Sequence, residues 1–374
     1  MIDDDLMRKL RGKVHTDEWT RLINSVDASH FQINPSMVFV PEDVTDVTNM
    51  CQYAHEREIP LTARGGGTGL LGQALTHGIV VDISRHFNRI IEIGERDVLV
   101  EPGVIKAVLD KELKKKGKFL PPDPSSSNFC TLGGMIANNS SGAHTLRYGS
   151  TIDYLEELDV VYSDGSMSTV GPLTPPDHRC GSLLPMVLSE LGLIAASYPD
   201  TSKNSSGFRL DALVRNRSYY PQRVFAGAEG TLGIITKAKL RTVEIPQFEI
   251  LLVCEFQDLT CLLVSVPRIL SFHPSAVELL SFGRLSSGQL QHDEKGLTDF
   301  PTIYVEFSGE SLTTLEQRAD LCRSALRQSC ISLEVLSDRA SCNAAWNERR
   351  NSLNHILRFS DGSKKAIGII EDTV

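Results

Sequence analysis

The run Arg64-Gly65-Gly66-Gly67-Thr68-Gly69 constrains this chain more than any other feature. Three consecutive glycines and a fourth after one threonine strip side chains from the backbone and open φ values that other residues avoid. Successive N–H groups in such a turn form a concave nest for anionic oxygen of the kind a pyrophosphate presents. Arg64 stands where it can add charge-assisted hydrogen bonds. A glycine-rich surface turn has the same composition, so the segment alone leaves both readings open. The overlapping run Gly67-Thr68-Gly69-Leu70-Leu71-Gly72 formally matches the GxGxxG fingerprint. That motif needs a helix directly after the glycines and a parallel strand beyond it. Residues 73–78 read instead as a short connector into a strand, which argues against a nicotinamide site.

Similar chemistry recurs downstream. Pro121, Pro122, Asp123, Pro124, Ser125 and Ser126 supply fixed φ values and hydroxyls. Thr131, Gly133 and Gly134, then residues 137–142 from Ala137 and Asn138 to Gly142, supply small residues and N–H groups. Three such segments in one domain point to a lined ligand cavity rather than to ordinary loops.

The 374 residues exceed the usual size of one domain. With 41% hydrophobic and 23% charged residues, disorder is excluded. A net charge of -9 and a pI near 5.6 argue against general attraction to nucleic acid. The eight cysteines form no CxxC pair, so neither a zinc site nor an iron-sulfur cluster is expected within this chain, and reduced thiols are. The N-terminus is acidic and precedes no long apolar run. The expectation is a cytoplasmic protein without a transmembrane segment, with peripheral membrane contact left open.

Residues 1–33 read as a polar helical arm with scattered apolar anchors such as Leu6 and Trp19. Beyond it, Val44, Val47, Met50 and Cys51 have helical spacing, residues 59–63 lead as a strand into the glycines, and residues 79–83, 90–93 and 98–101 read as strands. A helix over 104–116 stops at Gly117. Strand 155–162 turns at residues 163–166 into a probable partner, and residues 171–221 read as an insertion with a helix near 183–193. From about Gln247 strands and helices alternate (250–256, 262–270, 302–307, 315–329), which implies a separate α+β domain. The strand-like run 369–374 carries no capping turn, so that domain reads as incomplete.

Residues 64–70, 121–127, 131–142, 147–149 and 226–236, taken in order, resemble the PCMH-type FAD-binding flavoproteins related to vanillyl-alcohol oxidase, glycolate oxidase and D-lactate dehydrogenase. The resemblance implies an α+β protein: a two-subdomain FAD-binding fold over 34–246, followed by a partial ferredoxin-like cap over 247–374. It assigns the cofactor to Arg64, Gly65, Gly66, Gly67, Thr68, Gly69, Leu70, Pro122, Asp123, Ser125, Thr131, Gly133, Gly134, Ala137, Asn138, Gly142, Tyr148, Glu229, Gly230, Gly233, Ile234 and Ile235. Covalent attachment in this family uses His or Cys at particular sites, and the glycine turn carries no histidine, so FAD is expected to be non-covalent. Cys130 reads as a packing thiol. Residues 203–210 and the insertion before them look like the FAD module of large bacterial 2-hydroxyacid dehydrogenases, which are fused to an iron-sulfur domain.

That resemblance implies oxidation of a D-2-hydroxy acid such as D-lactate; it leaves the electron acceptor open among a quinone, a cytochrome and an iron-sulfur partner. The reaction needs a hydride acceptor, a cation for the carboxylate and a base for the hydroxyl. Trp346 to Arg350 resembles the cap helix whose arginine binds the carboxylate, with Arg349 in register. Alone, the same residues read equally as a solvated helix face. The family's catalytic histidine lies in a His-rich segment with no counterpart here, and His144 falls at a variable position. A flavin-binding subunit or fragment without turnover is therefore the alternative. A reductase fed by a nicotinamide is a third reading, disfavoured because residues 275–280 resemble the dehydrogenases.

Overall fold

The computed structural model describes residues 4–201, 203–280 and 300–358. The run 369–374 lies outside them. Two compact units are present, one of residues up to Gly142 and Ser150–Glu244, the other of Ala143–Gly149 and the described residues from Ile245 on.

The first unit begins with α1 (Asp4–Lys9), β1 (Lys13–His15), α2 (Glu18–Ile23), β2 (Met37–Val40), α3 (Val44–Glu56), β3 (Leu61–Arg64) and β4 (Ile79–Asp82). Asp43 caps α3 by accepting from the Asp46 N–H, and Val47, Met50, Cys51 and Ala54 recur at helical spacing to bury one face. That face packs on a four-stranded sheet in the order β1-β2-β4-β3. β4 pairs in parallel with both β2 and β3. Its Ile79, Val80 and Val81 are all buried, as expected of a central parallel strand. The connection from β3 to β4 contains no helix, so the parallel strand of a dinucleotide fingerprint is present and its helix is not.

The expected helical arm takes a different form. β1 pairs antiparallel with β2, and Leu6 enters the core with Val47 and Met50. The buried Asp46 carboxylate accepts from the backbone N–H groups of Arg11, Gly12 and Glu42. This tie between residues 35 positions apart has no local sequence signal.

The same unit continues through β5 (Ile90–Ile93), β6 (Asp97–Val100), α4 (Lys106–Lys114), β7 (Lys118–Phe119), α5 (Leu132–Ala137), β8 (Leu155–Val161), β9 (Met167–Val170), β10 (Val214–Arg215), β11 (Ser218–Tyr219), β12 (Ile234–Arg241) and β13 (Val243–Glu244). Five of these strands form an antiparallel sheet in the order β5-β6-β12-β8-β9. β12 alternates cleanly, with Ile234, Thr236, Ala238 and Leu240 inward. The short helix α6 (Thr145–Tyr148) belongs to the second unit, and α7 (His178–Ser189) and α8 (Leu191–Ser197) form the insertion of the first.

The second unit runs β14 (Phe248–Glu255), α9 (Leu259–Leu270), β15 (Ala276–Leu280), β16 (Thr302–Gly309), α10 (Leu312–Leu326), β17 (Ser332–Leu336) and α11 (Arg339–Arg358). Its sheet order β15-β16-β14-β17, antiparallel throughout, is that of a ferredoxin-like βαββαβ unit. All six elements of that unit lie within 248–336. Alternation sorts β14 and β16 between two cores. Ile250, Leu252, Ile303, Val305 and Phe307 face α9 and α10, whereas Leu251, Val253 and Tyr304 lie with Cys342 and Trp346 of α11.

Candidate functional site

Within the first unit the turn at 64–69, residues 131–138 and residues 229–235 line one cleft, which holds about 850 Å³ of space with its solvent mouth included, and the segment 121–127 is not among its lining. Its walls include Arg64, Gly65, Gly66, Gly67, Thr68 and Gly69 from the turn after β3, Thr131, Gly133, Gly134, Ala137 and Asn138 around α5, and Glu229, Gly230, Gly233, Ile234 and Ile235 entering β12.

The glycines divide by physical need. A Cβ on Gly65 would fall on the Thr131 hydroxyl and one on Gly66 on the Phe129 carbonyl, so these two let separate segments touch. Gly67 needs its left-handed φ of +61°. Gly230 differs, because a Cβ there would meet nothing within 4 Å although its φ is +78°. A side chain at Gly230 would therefore stand in the cleft. Thr131, fully buried, caps α5 by accepting from the Gly134 N–H at 3.4 Å. Among the described residues, no acceptor takes the backbone N–H groups of Gly66, Gly67, Thr68 or Gly69. The residues present thus fit an anionic, extended ligand: donors without protein partners on one side, side-chain-free backbone on the other.

Glu229 sits in the left-handed region at φ 51°, held by its N–H to the Ala137 carbonyl at 2.9 Å. For a residue with a Cβ this conformation costs of the order of 1 kcal/mol, a strain that clusters at ligand sites. Arg64 departs from expectation. Its guanidinium donates to the carbonyls of Val26 (2.7 Å) and Asn24 (3.4 Å), and the Ala28 N–H reaches Gly67 O at 3.0 Å. Arg64 therefore fastens the N-terminal segment to the turn rather than presenting its charge wholly to the cleft.

Other expected residues lie off the cleft walls. Leu70 is exposed just past the turn, Ser125 is exposed, and Pro122 is buried. Gly142 lies against Asp123, on whose carbonyl a Cβ would fall. Tyr148 is on α6 in the second unit, with Arg147 over its ring at 5.0 Å. Conversely, Ala63, Gln73, Ala74, Ile83, Pro102, Cys130, Met135 and Ser140 line the cleft although the resemblance did not assign them to the cofactor. Ala63 and Ile83 sit at the carboxyl ends of β3 and β4, where ligands of parallel sheets bind, and that placement is the signal that finds them. Burial raises the Cys130 thiol pKa, which fits the packing role read for it.

The second unit carries its own polar cluster on the α11 face of the sheet. Trp346 Nε1 donates to Glu306 Oε2 at 2.9 Å, and His144 Nε2 pairs with the same oxygen at 2.9 Å. One turn along α11, Arg349 pairs with Glu278 at 2.7 Å, both side chains being half-buried. Burial, reinforced by Glu306, raises the Glu249 carboxyl pKa to about 7.

Residues 35–171 match the family model described as an FAD binding domain. The chain is 33% identical over 286 residues to a D-2-hydroxyglutarate dehydrogenase of Pseudomonas putida, covering 72% of this chain and 28% of that protein. To the Escherichia coli enzyme of the same name it is 29% identical, covering 97% of this chain and 39% of that protein. The glycolate oxidase subunit GlcD of Bacillus subtilis is 28% identical, over 94% of this chain and 67% of its own length. The chain thus spans about two fifths or less of the D-2-hydroxyglutarate dehydrogenases it matches. A solved alkyldihydroxyacetonephosphate synthase shares the fold, with a TM-score of 0.68 at 18% identity over 96% of this chain and 65% of the other.

Proposed function

We propose that this chain, whose residues 35–171 are an FAD-binding domain of the PCMH type, is the flavin-binding part of an FAD-dependent dehydrogenase of D-2-hydroxy acids. The observation that carries the reading is the cleft of the first unit, where three glycine-rich segments meet around backbone donors that no described residue uses. FAD, when bound, supplies the acceptor for the hydride on the Cα of a 2-hydroxy acid.

Gly66, Gly67, Thr68 and Gly69 hold the pyrophosphate through their N–H groups, as a nest suited to anionic oxygen. Thr131 and Gly134 fix the start of α5 beside it. Gly230 leaves room that any side chain would fill, and Ile234 and Ile235 give the cleft an apolar wall. Non-covalent binding is the reading that fits: among the described residues no histidine lines the cleft, and burial raises the Cys130 thiol pKa. Arg349 takes the substrate carboxylate through its planar fork, with Glu278 holding the guanidinium in place beforehand.

Anaerobic addition of D-2-hydroxyglutarate, D-lactate or glycolate to the flavin-loaded protein tests the reading. Bleaching of the flavin absorbance by one of them is expected, and an unbleached spectrum with all three contradicts it. The pairing of Arg349 with Glu278 favours one second reading, a flavin-binding subunit without turnover, and in that case the protein is yellow yet unreactive.

A further inference from the structure

We propose that α7, α8 and the β10–β11 hairpin form a patch that seats this protein on an anionic lipid bilayer. Residues 181–198 contain a single charged side chain, Glu190. α7 buries Cys180 and Val187 against its own unit and leaves Met186 66% and Leu188 49% exposed, and on α8 Leu191 and Leu193 are 42% and 64% exposed. Exposed aliphatic side chains on adjoining helices are not the ordinary scatter of a soluble surface. Among the described residues no single helix is long and apolar enough to cross a membrane, and the 77° bend between these two suits a pair lying in the headgroup region.

Charge selects the occupant. Residues 178–223 carry six Lys and Arg against three Asp and Glu, in a chain of net charge -9. Arg179 and Arg209 are committed to Asp164 and Asp211. Arg215 and Arg217 are exposed at the tip of the β10–β11 hairpin, which Tyr219 ties to α7 by donating to the Cys180 carbonyl at 2.6 Å. Asn216 and Arg217 both adopt positive φ, 51° and 62°. Such a two-residue turn favours Asn-Gly, so an arginine stands where glycine costs less. A protein interface centres on aromatic anchors, which the exposed face of α7 and α8 does not have. A symmetric second copy would bring the same arginines face to face. An anionic bilayer satisfies both the aliphatic face and the cations.

Co-sedimentation of the whole chain with vesicles of equal parts phosphatidylglycerol and phosphatidylcholine, against phosphatidylcholine alone, tests the proposal. Binding to the anionic vesicles is expected to be tighter by at least about tenfold and to weaken with salt. The double variant Leu188→Asp, Leu193→Asp abolishes it. Arg215→Glu with Arg217→Glu, which removes no apolar contact, reduces it to the level of phosphatidylcholine. Failure to pellet with either vesicle overturns the proposal. So does a lipid-free dimer in light scattering that the Leu188 and Leu193 substitutions dissolve, since the patch would then be an interface between copies.

Discussion

At the scale of single residues, the glycines of the cleft are not interchangeable. Gly66→Ala forces a methyl onto the Phe129 carbonyl. It is expected to lower stability by about 1–3 kcal/mol as well as flavin occupancy, read together by chemical denaturation and by the ratio of flavin to protein absorbance. Gly230→Ala has open space for its methyl and only the positive φ to oppose it. It is expected to cost about 1 kcal/mol of stability yet to weaken FAD binding at least about tenfold, because the methyl occupies the ligand's room. Equal effects of the two substitutions on folding and binding would contradict the division. The sequence makes the glycine run legible because only glycine serves so many close approaches. It does not make Arg64's partners legible, since the carbonyls of Asn24 and Val26 lie about 40 residues away and belong to a segment that reads as a separate arm.

At the scale of elements, periodicity was legible and long-range polar ties were not. The spacing of Val47, Met50 and Cys51 marks α3, because burial of one face writes itself into the order of residues. Asp46, on the same helix, is the acceptor for three backbone N–H groups, a role that nothing in its sequence neighbourhood announces. Asp46→Ala leaves those donors unmet and is expected to cost about 2–4 kcal/mol, measured by urea unfolding, with the amides of residues 4–15 losing hydrogen-exchange protection first. In the second unit, Glu249 on β14 faces Glu306 on β16, His144 before α6 and Arg339 at the start of α11. Burial raises its folded pKa from 4.5 to about 7, so the folded state holds the proton that the unfolded chain releases. Its contribution is therefore fully present below pH 4.5 and lost as pH rises through about 7, a change of at most about 3 kcal/mol. Glu249→Gln should match the wild-type stability near the low end of that window and exceed it above, in unfolding series across pH. A gap independent of pH would contradict the assignment.

At the scale of the whole molecule, the chain divides its labour between two units. The first gathers the cofactor segments around one cleft, and the second builds a ferredoxin-like sheet with Arg349 on the helix that follows it. Motif order and strand–helix alternation lead to the expectation of two units with one boundary near residue 246. In the structure Ala143–Gly149 groups with the later unit through Arg147, which donates to Ser308 and Ser275, and through His144 on Glu306. No local pattern records such an exchange. The central claim is that the cleft of the first unit binds FAD without a covalent bond. Acid precipitation of the protein after loading with FAD and desalting tests it most directly. The account predicts about one FAD per chain released into the supernatant, and a sharp loss of it in Gly230→Ala. A chain that retains no flavin after loading, or flavin that stays with the precipitate, would contradict it.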